Sequence, residues 1–184
     1  AIFLTSSYRF KSAEQAADRF ANKQKGNVYS RFTNPTVEAF QNKLAALEGA
    51  EKCQATASGM SAIFATIMTL LKPGEHMVAS RCMFGTTIVL LNSIIEKLDI
   101  QITFVDLKDL DAWEKSVQKN TKLFLLETPS NPLGEVVDID KLAAISKKNN
   151  IVLAVDNCVM TPALQKPLAL GADLVIHSAT KYID

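Results

Sequence analysis

Three short segments carry residue types that could do chemistry together. Ile151-Val152-Leu153-Ala154-Val155-Asp156 is an apolar run that ends in a carboxylate. Leu174-Val175-Ile176-His177-Ser178-Ala179-Thr180-Lys181 is a second run, ending in two hydroxyls and a lysine. Ala55-Thr56-Ala57-Ser58-Gly59-Met60 leads into a helix opening at Gly59, where backbone N–H groups and the helix dipole favour an anion. Singly, each has an ordinary structural reading: a carboxylate capping the next helix, a solvated lysine, a common Ser-Gly helix start. Together they meet three needs of pyridoxal phosphate. Its phosphate needs an anion site, its ring nitrogen needs a carboxylate to stay protonated, and its aldehyde needs an amine for a Schiff base.

These residues can meet only if the elements between them place them at one edge. Short apolar runs predict strands over Lys52–Thr56, His76–Ser80, Gln101–Val105, Lys122–Glu127, Ile151–Asp156 and Leu174–His177. Helical spacing between them predicts helices near Met60–Leu71, Thr86–Lys97, Leu110–Gln118, Ile139–Lys148 and Pro162–Leu170. This alternation predicts an α/β fold with a mainly parallel central sheet and helices on both faces. In such sheets ligands bind outside the carboxyl ends of the strands, where the three segments end. Ahead of this region, residues 1–34 mix aromatics with polar residues, with one helix near Ser12–Lys23, and read as an N-terminal arm without a core of its own. Residues 35–184 read as the domain proper. It opens with a helix from Pro35 to Glu48, stopped by Gly49, whose Val37, Phe40, Leu44 and Leu47 make one apolar face.

Composition narrows the function classes. The 184 residues are 48% hydrophobic and 21% charged, enough for a substantial core, and a formal net charge of +1 offers no global field for nucleic acid. No apolar run approaches the roughly 20 residues of a membrane span. Cys53, Cys82 and Cys158 are odd in number and widely spaced, and His76 and His177 are far apart, so neither a disulfide framework nor a metal site is expected. The expected compartment is the reducing cytoplasm. The seven glycines include no dinucleotide or P-loop pattern, which argues against a nucleotide-binding domain.

The chain resembles the Cys/Met-metabolism family of pyridoxal-phosphate enzymes. The resemblance rests on Tyr29-Ser30-Arg31 with Asn34-Pro35-Thr36, on Ser58-Gly59-Met60 and on Glu127-Thr128-Pro129-Ser130-Asn131-Pro132. Val155-Asp156-Asn157 and Ser178-Ala179-Thr180-Lys181-Tyr182 complete it. The blocks follow the family's order along nearly the whole chain. The resemblance implies an aspartate-aminotransferase-like (fold type I) large domain with pyridoxal 5'-phosphate as cofactor. Lys181 would form the Schiff base and later carry protons, and Asp156 would pair with the ring nitrogen. Gly59 and Met60 would offer N–H groups to the phosphate, and Ser178 and Thr180 hydroxyls. Tyr29 and Arg31 would reach the phosphate of a neighbouring subunit, and Asn131 would lie near the ring and the substrate carboxylate. No metal is implied. The implied partners are a small amino-acid substrate, sulfide and further copies of the chain as a dimer of dimers, with neither nucleic acid nor membrane.

One departure bears on the reaction. Where many members stack a tyrosine on the ring, this chain has Phe84-Gly85-Thr86-Thr87, which keeps a stacking face but lacks the phenol; a plain core aromatic is the other reading. This run resembles the succinylhomoserine sulfhydrylase branch, which implies γ-replacement on O-succinylhomoserine by sulfide, giving homocysteine and succinate in methionine biosynthesis. Cystathionine γ-synthase, with cysteine as nucleophile, and cystathionine or methionine γ-lyase are the alternatives within the family. A non-catalytic α/β module is the alternative outside it. Cys158 reads as a small buried hydrophobe, His177 as a core histidine, and Glu127 as either part of the polar network or a turn cap. The family continues past Lys181 into the rest of the large domain and a C-terminal domain. The chain is therefore expected to be an incomplete, inactive piece, with Lys52–Thr56 lacking its sheet partner.

Overall fold

The computed structural model describes residues 1–183, which form two compact units, Ala1–Ala55 and the chain from Thr56 on. In the first unit, Ser12 caps α1 (Ala13–Phe20) by accepting the Gln15 N–H at 3.1 Å. Asn34 joins this segment to α2 (Pro35–Glu48). Its Oδ1 caps the helix, accepting the Thr36 N–H at 2.9 Å, while its Nδ2 donates back to the Phe3 carbonyl at 3.1 Å. Helix α2 therefore groups with residues 1–34, and the boundary between units falls after residue 55 rather than after 34. Gly49 ends α2 at φ 71°, a left-handed cap that costs glycine little. Of the four apolar residues expected to face a core, only Leu44 is buried. Lys52–Thr56, expected as a strand, finds no ladder partner among the described residues. A short apolar run becomes a strand only where another strand's edge takes up its backbone groups.

In the second unit five parallel strands form one sheet: β1 (His76–Ser80), β2 (Gln101–Val105), β3 (Thr121–Glu127), β4 (Val152–Asp156) and β5 (Leu174–Ile176), in spatial order β2-β1-β3-β4-β5. The strands read as continuous apolar runs because both sheet faces are covered. Met77, Ala79, Leu123, Leu125 and Ala154 point to one face, against Ile63 and Ile67 of α3 (Gly59–Leu70). Val78, Phe124, Leu126, Leu153 and Val155 point to the other, against Trp113 of α5 (Leu110–Lys115) and Leu142 of α6 (Ile139–Lys148). The α/β sandwich expected from the alternation is the one observed.

Four helices differ from their expected lengths; α1 ends at Phe20 rather than near Lys23, and α5 at Lys115 rather than near Gln118. The stretch from Thr86 to Lys97 is α4 (Gly85–Leu90), then a π-helical turn over Leu91–Ile95 and a 3-10 turn over Glu96–Leu98. The helix expected to reach Leu170 stops early as α7 (Thr161–Leu164), because Pro167 disfavours helical backbone at Lys166. At the amino edge of the sheet, buried His76 bridges three strands: Nδ1 lies 2.7 Å from Thr121 Oγ1 and Nε2 2.9 Å from Thr103 Oγ1. Burial lowers its pKa, which suits a neutral ring that donates on one side and accepts on the other. No helix among the described residues is long and apolar enough to cross a membrane.

Candidate active site

The carboxyl ends of β3 and β4 place two acids side by side, since Glu127 pairs with Asp156 in the ladder. Both are nearly inaccessible, at 4% and 8% exposure. Asp156 Oδ1 accepts the Cys158 N–H at 3.1 Å. Burial raises its pKa, against smaller lowering effects of Cys158 and the charge of His177. Burial and the neighbouring Asp156 raise Glu127 to about 7, although its carboxylate accepts the backbone N–H groups of Phe84 and Asn131. Asp156 has no ion pair among the described residues. A carboxylate so placed gains most from a cation brought to it.

The turn after β5 lies against the start of α3. A Cβ on Gly59 would come within 2.8 Å of Ser178 Cβ, so only glycine permits this approach. The cap of α3 is reciprocal: Ser58 Oγ accepts the Ser61 N–H at 3.1 Å, and Ser61 Oγ accepts the Ser58 N–H at 2.8 Å. It leaves the N–H groups of Gly59 and Met60 outside the cap, with Gly59 against the Ser178 side chain. The same turn is tied to the loop after β4, since Ser178 donates its N–H to Cys158 Sγ at 2.8 Å. Lys181 follows three residues on, its N–H donating to the Ser178 carbonyl at 3.2 Å and its side chain exposed, as is that of Thr180.

Among the expected site residues, Gly59, Ser178 and Asp156 thus meet through direct contacts and the Cys158 link. Phe84 stands at the start of α4 with 44% of its surface exposed, so it is not the core aromatic of the alternative reading. Its N–H donates to Glu127 Oε2 at 2.5 Å. Asn131 is exposed in the turn after β3. Met60 touches the same region through its Sδ, 3.9 Å from Thr87 Oγ1. Tyr29 and Arg31 belong to the first unit, where the Arg31 guanidinium lies 5.0 Å from the Tyr29 ring centre. His177 is half-buried rather than a core residue. Cys158 acts as an acceptor that joins two loops rather than as a mere filler. Glu127 is the residue whose place sequence reasoning left open, and its signal was its position at a strand end beside the Asp156 strand.

The donor set fits pyridoxal phosphate on these grounds: a glycine-only approach at a helix start for an anion, a buried unpaired acid for a ring cation, and a lysine in the same turn as Ser178. The comparisons agree. The family model for Cys/Met metabolism PLP-dependent enzymes matches residues 1–184. The chain is 58% identical over 184 residues to an O-succinylhomoserine sulfhydrylase of Pseudomonas aeruginosa, covering all of this chain and 46% of that protein. It is 45% identical over 184 residues to an L-methionine gamma-lyase of Fusobacterium nucleatum, covering 47% of that protein. A crystal structure of a putative O-acetylhomoserine (thiol)-lyase from Campylobacter jejuni, which holds a pyridoxyl-lysine phosphate, superposes with a TM-score of 0.92 at 37% identity. That match covers all of this chain and 45% of the crystallised one. The chain thus spans about half the length of the relatives it matches, and its sheet is part of a fold type I large domain. By its sequence over all 184 residues and by the site at the carboxyl edge of its sheet, the chain belongs to the pyridoxal-phosphate-dependent enzymes of Cys/Met metabolism.

Proposed function

We propose that the enzyme, at the length of its relatives, displaces succinate from Cγ of O-succinylhomoserine with sulfide, breaking the Cγ–O bond and forming a Cγ–S bond, to give homocysteine and succinate. The observation that carries this reading is the 58% identity to a protein with that activity in its name, 13 points above the lyase at 45%. Pyridoxal phosphate supplies, when bound, an electron sink that lets an amino acid lose protons at Cα and Cβ and a leaving group at Cγ. Asp156 would keep the ring nitrogen protonated, at the cost of its own buried charge. Gly59 and Met60 N–H groups with the Ser178 and Thr180 hydroxyls would hold the phosphate, aided by Tyr29 and Arg31 from a second copy. Lys181 would hold the cofactor through Nζ and, once released, carry a proton between Cα and Cβ on its flexible stem. Phe84 would cover the ring without supplying a phenol, so that lysine is the one mobile base. Asn131 would steady the ring and the substrate carboxylate. Assembly as a dimer of dimers in the cytoplasm completes the reading.

The methionine γ-lyases among the relatives favour a second reading, elimination to 2-oxobutyrate. Incubating the full-length enzyme with O-succinylhomoserine and either sulfide, cysteine or neither separates the readings. Homocysteine with sulfide is expected as the main product. Cystathionine as the main product would point to the synthase, and 2-oxobutyrate in all three to a lyase.

A further inference from the structure

The sheet order reverses between β1 and β3: from β1 the chain moves outward to β2, then crosses back to β3 and on to β4 and β5. Loops leaving β1 and β3 therefore diverge, and the crevice between them is where a ligand enters. Glu127 spans it. Its carboxylate accepts the N–H of Phe84 from the β1 side at 2.5 Å and the N–H of Asn131 from the β3 side. The Phe84 carbonyl is also held, accepting N–H groups from Thr87 at 2.8 Å and Ile88 at 3.3 Å. The backbone of Phe84 is thus fixed on both sides while its ring stays 44% exposed. An acid buried to 4% exposure beside a second acid is a costly way to cap a turn. A carboxylate offers two acceptor oxygens here, where an amide offers one.

We propose that Glu127 is a positioning residue that acts through Phe84, its carboxylate fixing the turn that sets where the Phe84 ring stands over the cofactor. The role rests on the reading of Phe84 as the stacking residue. Glu127 touches neither substrate nor cofactor in this role. It joins the two lips of the crevice, so that the aromatic face and Asn131 keep a constant spacing around Asp156.

A double-mutant cycle on the full-length enzyme tests this, with E127Q, F84A and the pair. The readouts are the dissociation constant of pyridoxal phosphate from reconstituted apoenzyme and the circular dichroism of the bound chromophore. E127Q is expected to weaken cofactor binding about tenfold, the worth of one charge-assisted hydrogen bond, and to change the chromophore signal. In the F84A background the same change should have less than about a twofold effect, because the ring it positions is gone. Independent effects, each mutation costing as much with or without the other, would overturn the proposal and leave Phe84 as the stacking residue. An F84A chain that binds cofactor like the wild type would instead overturn the stacking reading and the proposal with it. If E127Q does not fold, E127D, which keeps the charge but shortens its reach by one methylene, carries the same cycle with the same expected non-additivity.

Discussion

Asp156 and Glu127 share one buried edge and differ in what they need. Asp156 has its charge opposed by burial and no ion pair among the described residues. In the full-length enzyme, Asp156→Asn is expected to lower kcat by at least about a hundredfold while the apoenzyme gains thermal stability, since an uncompensated buried acid is removed. A melting curve of both apoenzymes beside a rate measurement checks the two halves together. Glu127 gives a pH prediction. Its folded value of about 7 lies above the ordinary 4.5, so the native state binds more protons than the unfolded one between these values. Apoenzyme stability should therefore fall as pH rises from 4.5 to 7, by up to about 3 kcal/mol from this group. Denaturant titrations across that range should show the slope in wild type and its loss in E127Q. Lys181→Ala should abolish the adduct that borohydride traps in wild type, as peptide mapping would report. The places of Asp156, at the end of β4, and of Lys181, in the turn after β5, were legible in the sequence because each follows an apolar run. Glu127 ends one too, but what its carboxyl does depends on a loop 43 residues away in sequence.

At the level of elements, the helix start at Gly59 and the turn at Ser178 fit only because no side chain lies between them. Gly59→Ala must push the two apart by several tenths of an ångström. The expected result is at least tenfold weaker cofactor binding, with a loss of about 1–3 kcal/mol from overpacking. Fluorescence titration and a denaturation curve measure the two. The five strands of the sheet were readable as apolar runs, and Asn34, Ser58 and Gly49 as helix punctuation. The Lys52–Thr56 run stays outside this sheet, in keeping with the expectation that it lacks its partner strand, because apolar pattern specifies a preference for burial and not the neighbour that satisfies it. The end of α7 was misread for a related reason: periodicity continued past Pro167, while the backbone could not.

Across the whole molecule, the arm poses the question of which copy it serves. If Arg31 acts on a neighbouring site, Arg31→Ala and Lys181→Ala chains should each be nearly inactive alone yet regain activity when mixed, because one site in the hybrid then has both residues intact. Co-expression with two affinity tags and a rate measurement on the doubly tagged species checks this, and activity no higher than that of the parents would assign Arg31 to its own subunit. The order β2-β1-β3-β4-β5 also carries a meaning for biosynthesis. As the chain leaves the ribosome, β1 emerges first, and each later strand finds the edge it needs already made. Strand β5 is the last of the five to dock, and with it come Ser178, Thr180 and Lys181. The lysine and hydroxyls proposed to hold the cofactor are thus delivered only after the other four strands are in place, so cofactor capture by a nascent chain would report that these five strands have docked.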